Sequence, residues 1–89
     1  MIHELKTWQQ YFKAVANGTK TFELRKNDRN FKVGDTLILE EWEPGLINTD
    51  GVTAKKQGYT GRKIEKKITY LLESGEFGLR KGYAILGFK

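Results

Sequence analysis

The chain has no cysteine and only one histidine, one methionine and one proline among its 89 residues. Without cysteine, disulfides and thiolate chemistry are excluded, and packing alone must hold the fold. His3 is the single imidazole, which leaves too few ligands for a His-based zinc site and no base for a Ser-His-Asp triad elsewhere in the chain. No metal site and no cofactor is expected. Apolar runs are also short, well below the roughly 20 residues that a membrane-crossing helix needs, so no membrane association is expected. The opening MIHELKTW lacks a basic stretch followed by an apolar one, which argues against a secretory leader and makes the cytoplasm the expected location.

What is present suits one small globular domain spanning 1–89: 38% hydrophobic residues, 12% aromatic, and a length sufficient for a single core. A monomer is expected. Lys and Arg outnumber Asp and Glu by 16 to 11, giving a net charge of +5. That balance is compatible with an anionic partner, nucleic acid first among them, although many proteins that bind no nucleic acid share it.

Hydrophobic periodicity divides the chain. Residues Ile2 to Lys6 read as a short strand or extended arm. Thr7 with Gln10 three residues on fits a capping box, and Trp8, Tyr11, Phe12 and Val15 form one apolar stripe of a helix, with Trp8 and Phe12 as core residues. Asn17-Gly18 closes that helix, since glycine tolerates the left-handed conformation. From Thr19 the period becomes two, placing Phe22 and Leu24 on one face and Thr21, Glu23 and Arg25 on the other. KNDRN and Gly34-Asp35 supply turns, and Thr36 to Trp42 forms the next strand. Glu43 to Gly61 holds the only Pro and four of the ten Gly, a long hairpin loop with room for a small ribbon around Val52 to Ala54. A loop of that length is either functional or mobile. Arg62 to Leu72 alternates as one strand, with Ile64, Lys66, Ile68, Tyr70 and Leu72 on one face and Lys63, Glu65 and Lys67 opposite. A last strand starts at Tyr83. One helix and about five short strands predict a small α+β barrel.

Charge is densest in NGTKTFELRKNDRNF, Asn17 to Phe31. A Glu at i and an Arg at i+2 leave the same face of a strand ~7 Å apart, and Lys20 enters over that face. Two readings stand at this point: a solvated face with a Glu23–Arg25 pair contributing at most ~1 kcal/mol, or the wall of a site. Lys55, Lys56, Arg62, Lys63, Lys66 and Lys67 form a candidate phosphate-contacting set or an ordinary solvated strand face. Trp42, Tyr59 and Tyr83 stand at strand ends or in loops, where a base could stack or where a ring simply covers a small core. Of Glu40 and Glu41, one must lie on a partly apolar face, and Lys20 or Arg25 is the natural partner for it.

GTKTFELR, Gly18 to Arg25, resembles the G-x-K-x-x-E-x-R signature of ASCH domains in the PUA-like superfamily. The flanking text agrees: a leading helix ending in Gly, VGD opening the next strand, and a final GYAILGF. HELK, RKNDR, LILEEW and GYTGR resemble more closely a bacterial and phage branch of unknown function within that group, and the resemblance covers essentially the whole chain. It implies a PUA-like β-barrel of five to six mostly antiparallel strands with one N-terminal amphipathic helix, the signature lining a cleft between helix and barrel. It further implies RNA or nucleotide binding by Gly18, Lys20, Glu23 and Arg25, with Lys26, Trp42 and Tyr83 as further candidate contacts. Gly18 would serve the helix-to-strand turn, Lys20 and Arg25 would meet phosphate or carbonyl groups, and Glu23 would accept from a base amino group or hold the two cations.

One ASCH-like branch hydrolyses acetylated cytidine nucleosides. There the signature Lys works with a Thr, where this chain has Glu23, and with a Glu from a later helical insertion, for which Glu73 or Glu76 would have to substitute. Catalysis by Lys20 and Glu23 is therefore the runner-up to binding. A protein-interaction module using the Glu43 to Gly61 loop is the third reading.

Overall fold

The structure is a computed structural model and describes residues 1–44, 58–73, 75 and 77–89. The element order is β1 (Ile2–Trp8), α1 (Gln9–Ala16), β2 (Phe22–Lys26), β3 (Thr36–Trp42), β4 (Tyr59–Lys67), β5 (Tyr70–Leu72) and β6 (Tyr83–Gly87). The expected ribbon at Val52 to Ala54, the loop centred on residues 45–57, and Lys55, Lys56 and Glu76 lie outside the described residues.

Among the described residues six strands form two three-stranded sheets, ordered β1-β3-β4 and β2-β6-β5. The β1–β3 pair is parallel and the other three pairs are antiparallel. The α+β expectation therefore holds, with most strand pairs antiparallel, but among the described residues the sheets remain separate and do not close into a barrel. Alternation supplies the core: Leu5 from β1, Leu37 and Leu39 from β3, Ala84 and Leu86 from β6 meet Phe12 and Val15 of α1, with Phe31 and Ile68 from the connections and Phe88 following β6. No helix among the described residues is long and apolar enough to cross a membrane.

Three local expectations need correction. Strand periodicity runs through Thr7 to Trp8, burying His3, Leu5 and Thr7 and turning Trp8 outward. The expected capping box therefore does not form; Trp8 occupies the N-cap without a side-chain bond, and Thr7 Oγ1 instead donates to the Leu5 carbonyl. Trp8 is 47% exposed rather than core, and only Phe12 and Val15 of the stripe are buried. In β2 the alternation is as expected, and the charged face is the inner one: Glu23 is buried while Phe22 and Leu24 face outward.

The single strand expected from Arg62 to Leu72 is two. Residues Tyr59 to Gly61, expected as loop, already belong to β4, and the chain leaves the first sheet after Lys67 to join the second at Tyr70. Gly34 N–H donates to the Ile68 carbonyl and Ile68 N–H to the Asp35 carbonyl, which pins the crossing to the Gly34-Asp35 turn. The break shifts the alternation by one residue, so Tyr70 faces solvent and Leu71 packs on the core.

Candidate functional site

β1 and β2 are edge strands of different sheets. No backbone ladder joins them; two guanidinium groups do. Arg25 Nη2 donates to the Lys6 carbonyl (2.7 Å) and Arg29 Nη1 to the Glu4 carbonyl (2.7 Å). Side chains thus satisfy β1 carbonyls at a sheet edge and leave a seam between the two strands. A cleft of about 490 Å³ lies in this seam, lined by Lys6, Thr7 and Trp8 of β1, Tyr11 of α1, Lys20, and Phe22 to Arg25 of β2.

Glu23 is 4% exposed. A buried carboxylate is costly unless each oxygen finds a charged or hydrogen-bonded partner. Lys20 Nζ donates to Oε1 at 2.8 Å and Arg25 Nε donates to Oε2 at 3.2 Å. Arg25 Nη2 also lies 3.4 Å from Thr7 Oγ1, tying the trio to β1. The Lys20 ammonium stands 4.9 Å from the Tyr11 ring centre and 5.3 Å from that of Phe22, both within cation–π range. The result is a cleft with aromatic walls and an internally paired charged floor.

Gly18 does not line the cleft but delivers Lys20 to it. Its φ of +85° closes α1, its N–H donates to the Val15 carbonyl, and two residues later Lys20 N–H donates to the Ala14 carbonyl. Trp42 also stands outside the lining. It meets Trp8 edge to face at 5.2 Å, with the Lys6 ammonium 4.4 Å from its own ring centre, and so supports a wall rather than forming one. Lys26 and Tyr83 pair with each other across the β2–β6 ladder and lie away from the cleft, where Tyr83 meets the Arg80 guanidinium at 5.8 Å.

The described part of the basic set divides between two faces of β4. Arg62 is largely exposed, with its guanidinium 5.4 Å from the Phe12 ring and 3.7 Å from a Glu41 oxygen. Lys66 Nζ donates to the Lys89 carbonyl and stands over Phe88. Lys63 and Lys67 are exposed on the opposite face, with Glu65 between them.

Lys6, Thr7, Trp8, Tyr11, Phe22 and Leu24 line the cleft without having been candidates, because nothing in local periodicity announces that β1 and β2 approach each other edge to edge. Of Glu40 and Glu41 it is Glu41, on the face of Leu37 and Leu39, that is buried at 2% exposure, but its partner is neither Lys20 nor Arg25. The register shift opposite Glu40 to Trp42 gives β4 extra residues around Gly61 and brings both Thr60 and Arg62 to Glu41. Thr60 Oγ1 donates to Oε1 at 2.7 Å, while Oε2 makes no hydrogen bond.

A second polar node lies by the β1–β3 start. Asp35 contacts His3 Nε2 at 2.9 Å, accepts from the Lys32 N–H, and pairs with the Met1 amino group. The His3 hydrogen bond is the main cause holding its carboxyl down at about 2, against an ordinary value near 3.8; burial opposes the shift, and the Lys32 N–H and Met1 amino group reinforce it. Among the described residues no group of His, Asp and Glu side chains is arranged to hold a metal ion.

Fold and site together define a small α+β protein with a charged, aromatic-walled cleft between two unzipped edge strands. The chain belongs to the family described as "Domain of unknown function (DUF3850)", which matches residues 2–88. It is also 46% identical over 68 residues to the "Uncharacterized 12.9 kDa protein in GpA 3'region" of Escherichia phage P2. That alignment covers 76% of this chain and 51% of the phage protein, so the chain spans about half the length of that relative.

Proposed function

We propose that this chain is a binding module that takes a nucleotide, free or within single-stranded RNA, in the seam between β1 and β2. The observation that carries the reading is the Lys20–Glu23–Arg25 trio set into the floor of a 490 Å³ cleft whose walls are half-exposed aromatic rings. Stacking on such rings accepts any base and contributes about 1–3 kcal/mol per base, and the flanking cations complement phosphate. Glu23 retains acceptor capacity beyond its two contacts, since an ionised carboxylate offers about four lone-pair sites.

The ASCH and PUA-like reading belongs to the same proposal. Its support is that the signature positions Lys20, Glu23 and Arg25 converge on one cleft, while Gly18 makes the turn that leads into it. Arg25 and Arg29 bridge the two sheets where a closed barrel would carry a ladder. An acetylcytidine-type amidohydrolase would use the same Lys20–Glu23 contact. It ranks second because Glu23 replaces the expected Thr and because the described residues between β5 and β6 contain no helix to supply another Glu.

Both tryptophans stand at or directly behind the cleft, so their fluorescence reports occupancy. Titration with nucleoside monophosphates and short single-stranded RNA is expected to quench it saturably. Lys20→Ala should weaken binding at least tenfold, whereas Lys63→Ala with Lys67→Ala should change only the salt dependence of RNA binding. Equal losses from both sets of substitutions would place the contact on the β4 face and remove the reading. Hydrolysis of acetylcytidine by the wild type, abolished in Lys20→Ala, would replace binding with the enzyme reading.

A further inference from the structure

Trp8 belongs to two clefts. On one side is the seam already described; on the other is a cleft of about 440 Å³ lined by Trp8, Gln9, Gln10, Lys13, Glu43 and Pro44. Trp8 stands at the β1–α1 junction, and its ring meets Trp42 edge to face at 5.2 Å. Taken together, Lys6, Lys13, Lys20 and Arg25 line the pair of clefts against Glu23 and Glu43. The charge of Glu23 is already met by Lys20 and Arg25, so the joined surface is cationic.

We infer that the two clefts are consecutive subsites for a single strand of at least two nucleotides, with Trp8 as the partition between neighbouring bases. This rests on reading the seam as a nucleotide site and names its substrate class: a strand rather than a free mononucleotide. Each half is large enough for one nucleoside. The Trp8 indole offers a stacking surface at the step between them, and side-chain amides of Gln9 and Gln10 provide both donors and acceptors for a base edge. Lys13 supplies on the helix side the cationic charge that Lys6 supplies on the strand side. A peptide with an apolar anchor is disfavoured, because both clefts carry charged side chains in their lining.

The test is calorimetric titration of the wild-type protein with every ribonucleoside monophosphate and every dinucleoside monophosphate. The best dinucleotide should bind at least tenfold more tightly than its better mononucleotide half, and only dinucleotides should shift the Gln9 and Gln10 side-chain amide resonances. Trp8→Ala should erase the dinucleotide advantage. Because that change also removes the Trp42 contact, Lys13→Glu serves as a second variant on an exposed helix position; it should weaken dinucleotides several-fold and leave mononucleotides unchanged. Equal affinity for both lengths, or no effect of Lys13→Glu, overturns the second subsite while leaving the seam site standing. No binding of either length removes both.

Discussion

Glu23 shows how much one buried carboxylate can organise. It sits on the inner face of a strand whose apolar residues point outward, an inversion that is stable only because Lys20 and Arg25 neutralise it from both sides. Glu23→Ala would leave two half-buried cations without their anion, so the fold should lose about 3 kcal/mol, read from the denaturant midpoint. Removing the carboxylate should be far worse for stability than removing exposed Lys63. Asp35 gives a second residue-scale expectation. Its carboxyl is held at about 2 in the folded state against 3.8 ordinarily, so the unfolded chain takes up the proton first. The stabilisation is fully present above about pH 4 and is lost as pH falls through about 2. In Asp35→Asn, thermal melts should be flatter across that acid window and lower at neutral pH.

At the scale of elements, the bulged β3–β4 hairpin and its neighbour Gly58 fix the position of Trp42, and through it Trp8. Gly58 has φ +94°, and a Cβ placed there would overlap the Trp42 indole. Gly58→Ala should therefore displace Trp42, destabilise the hairpin end by more than the ~1 kcal/mol of a simple glycine effect, and alter tryptophan fluorescence even without ligand. Much of this level was legible beforehand. The helix stop at Asn17-Gly18, the Gly34-Asp35 turn and the β3 alternation that buries one of Glu40 and Glu41 followed from residue type and period alone. What was not legible were features decided by distant partners. A helix and a strand compete for Trp8, and pairing of β1 with β3 settles the contest for the strand. Likewise, nothing within RKIEKKITYLL marks Ile68-Thr69 as the point where the chain changes sheets; that is set by hydrogen bonds to Gly34 and Asp35.

For the whole molecule, the consequential feature is two sheets meeting at edges that are bridged by arginines rather than a ladder. The charge-dense stretch TKTFELRKND forms one wall of the cleft, whereas the other wall, from Lys6 to Trp8, is defined only by the assembly of the two sheets. Arg29→Ala removes one bridge without touching the cleft lining. It should raise hydrogen exchange along β1 near Glu4 while changing stability by only about 1–2 kcal/mol, since a charged donor to one carbonyl is lost and the carbonyl can rehydrate. The core itself should respond in the usual way: Leu39→Ala, at a fully buried position, should cost about 2–5 kcal/mol.

The most direct test of the seam as a ligand site is an amide chemical-shift titration of the intact chain with nucleosides, mononucleotides and a short single-stranded RNA. Saturable shifts centred on Lys20 to Lys26 and on Lys6 to Trp8, persisting at moderate salt, are the expected result. Shifts confined to Arg62 to Lys67 and vanishing as salt is raised would contradict it, leaving only a weak polyanion surface.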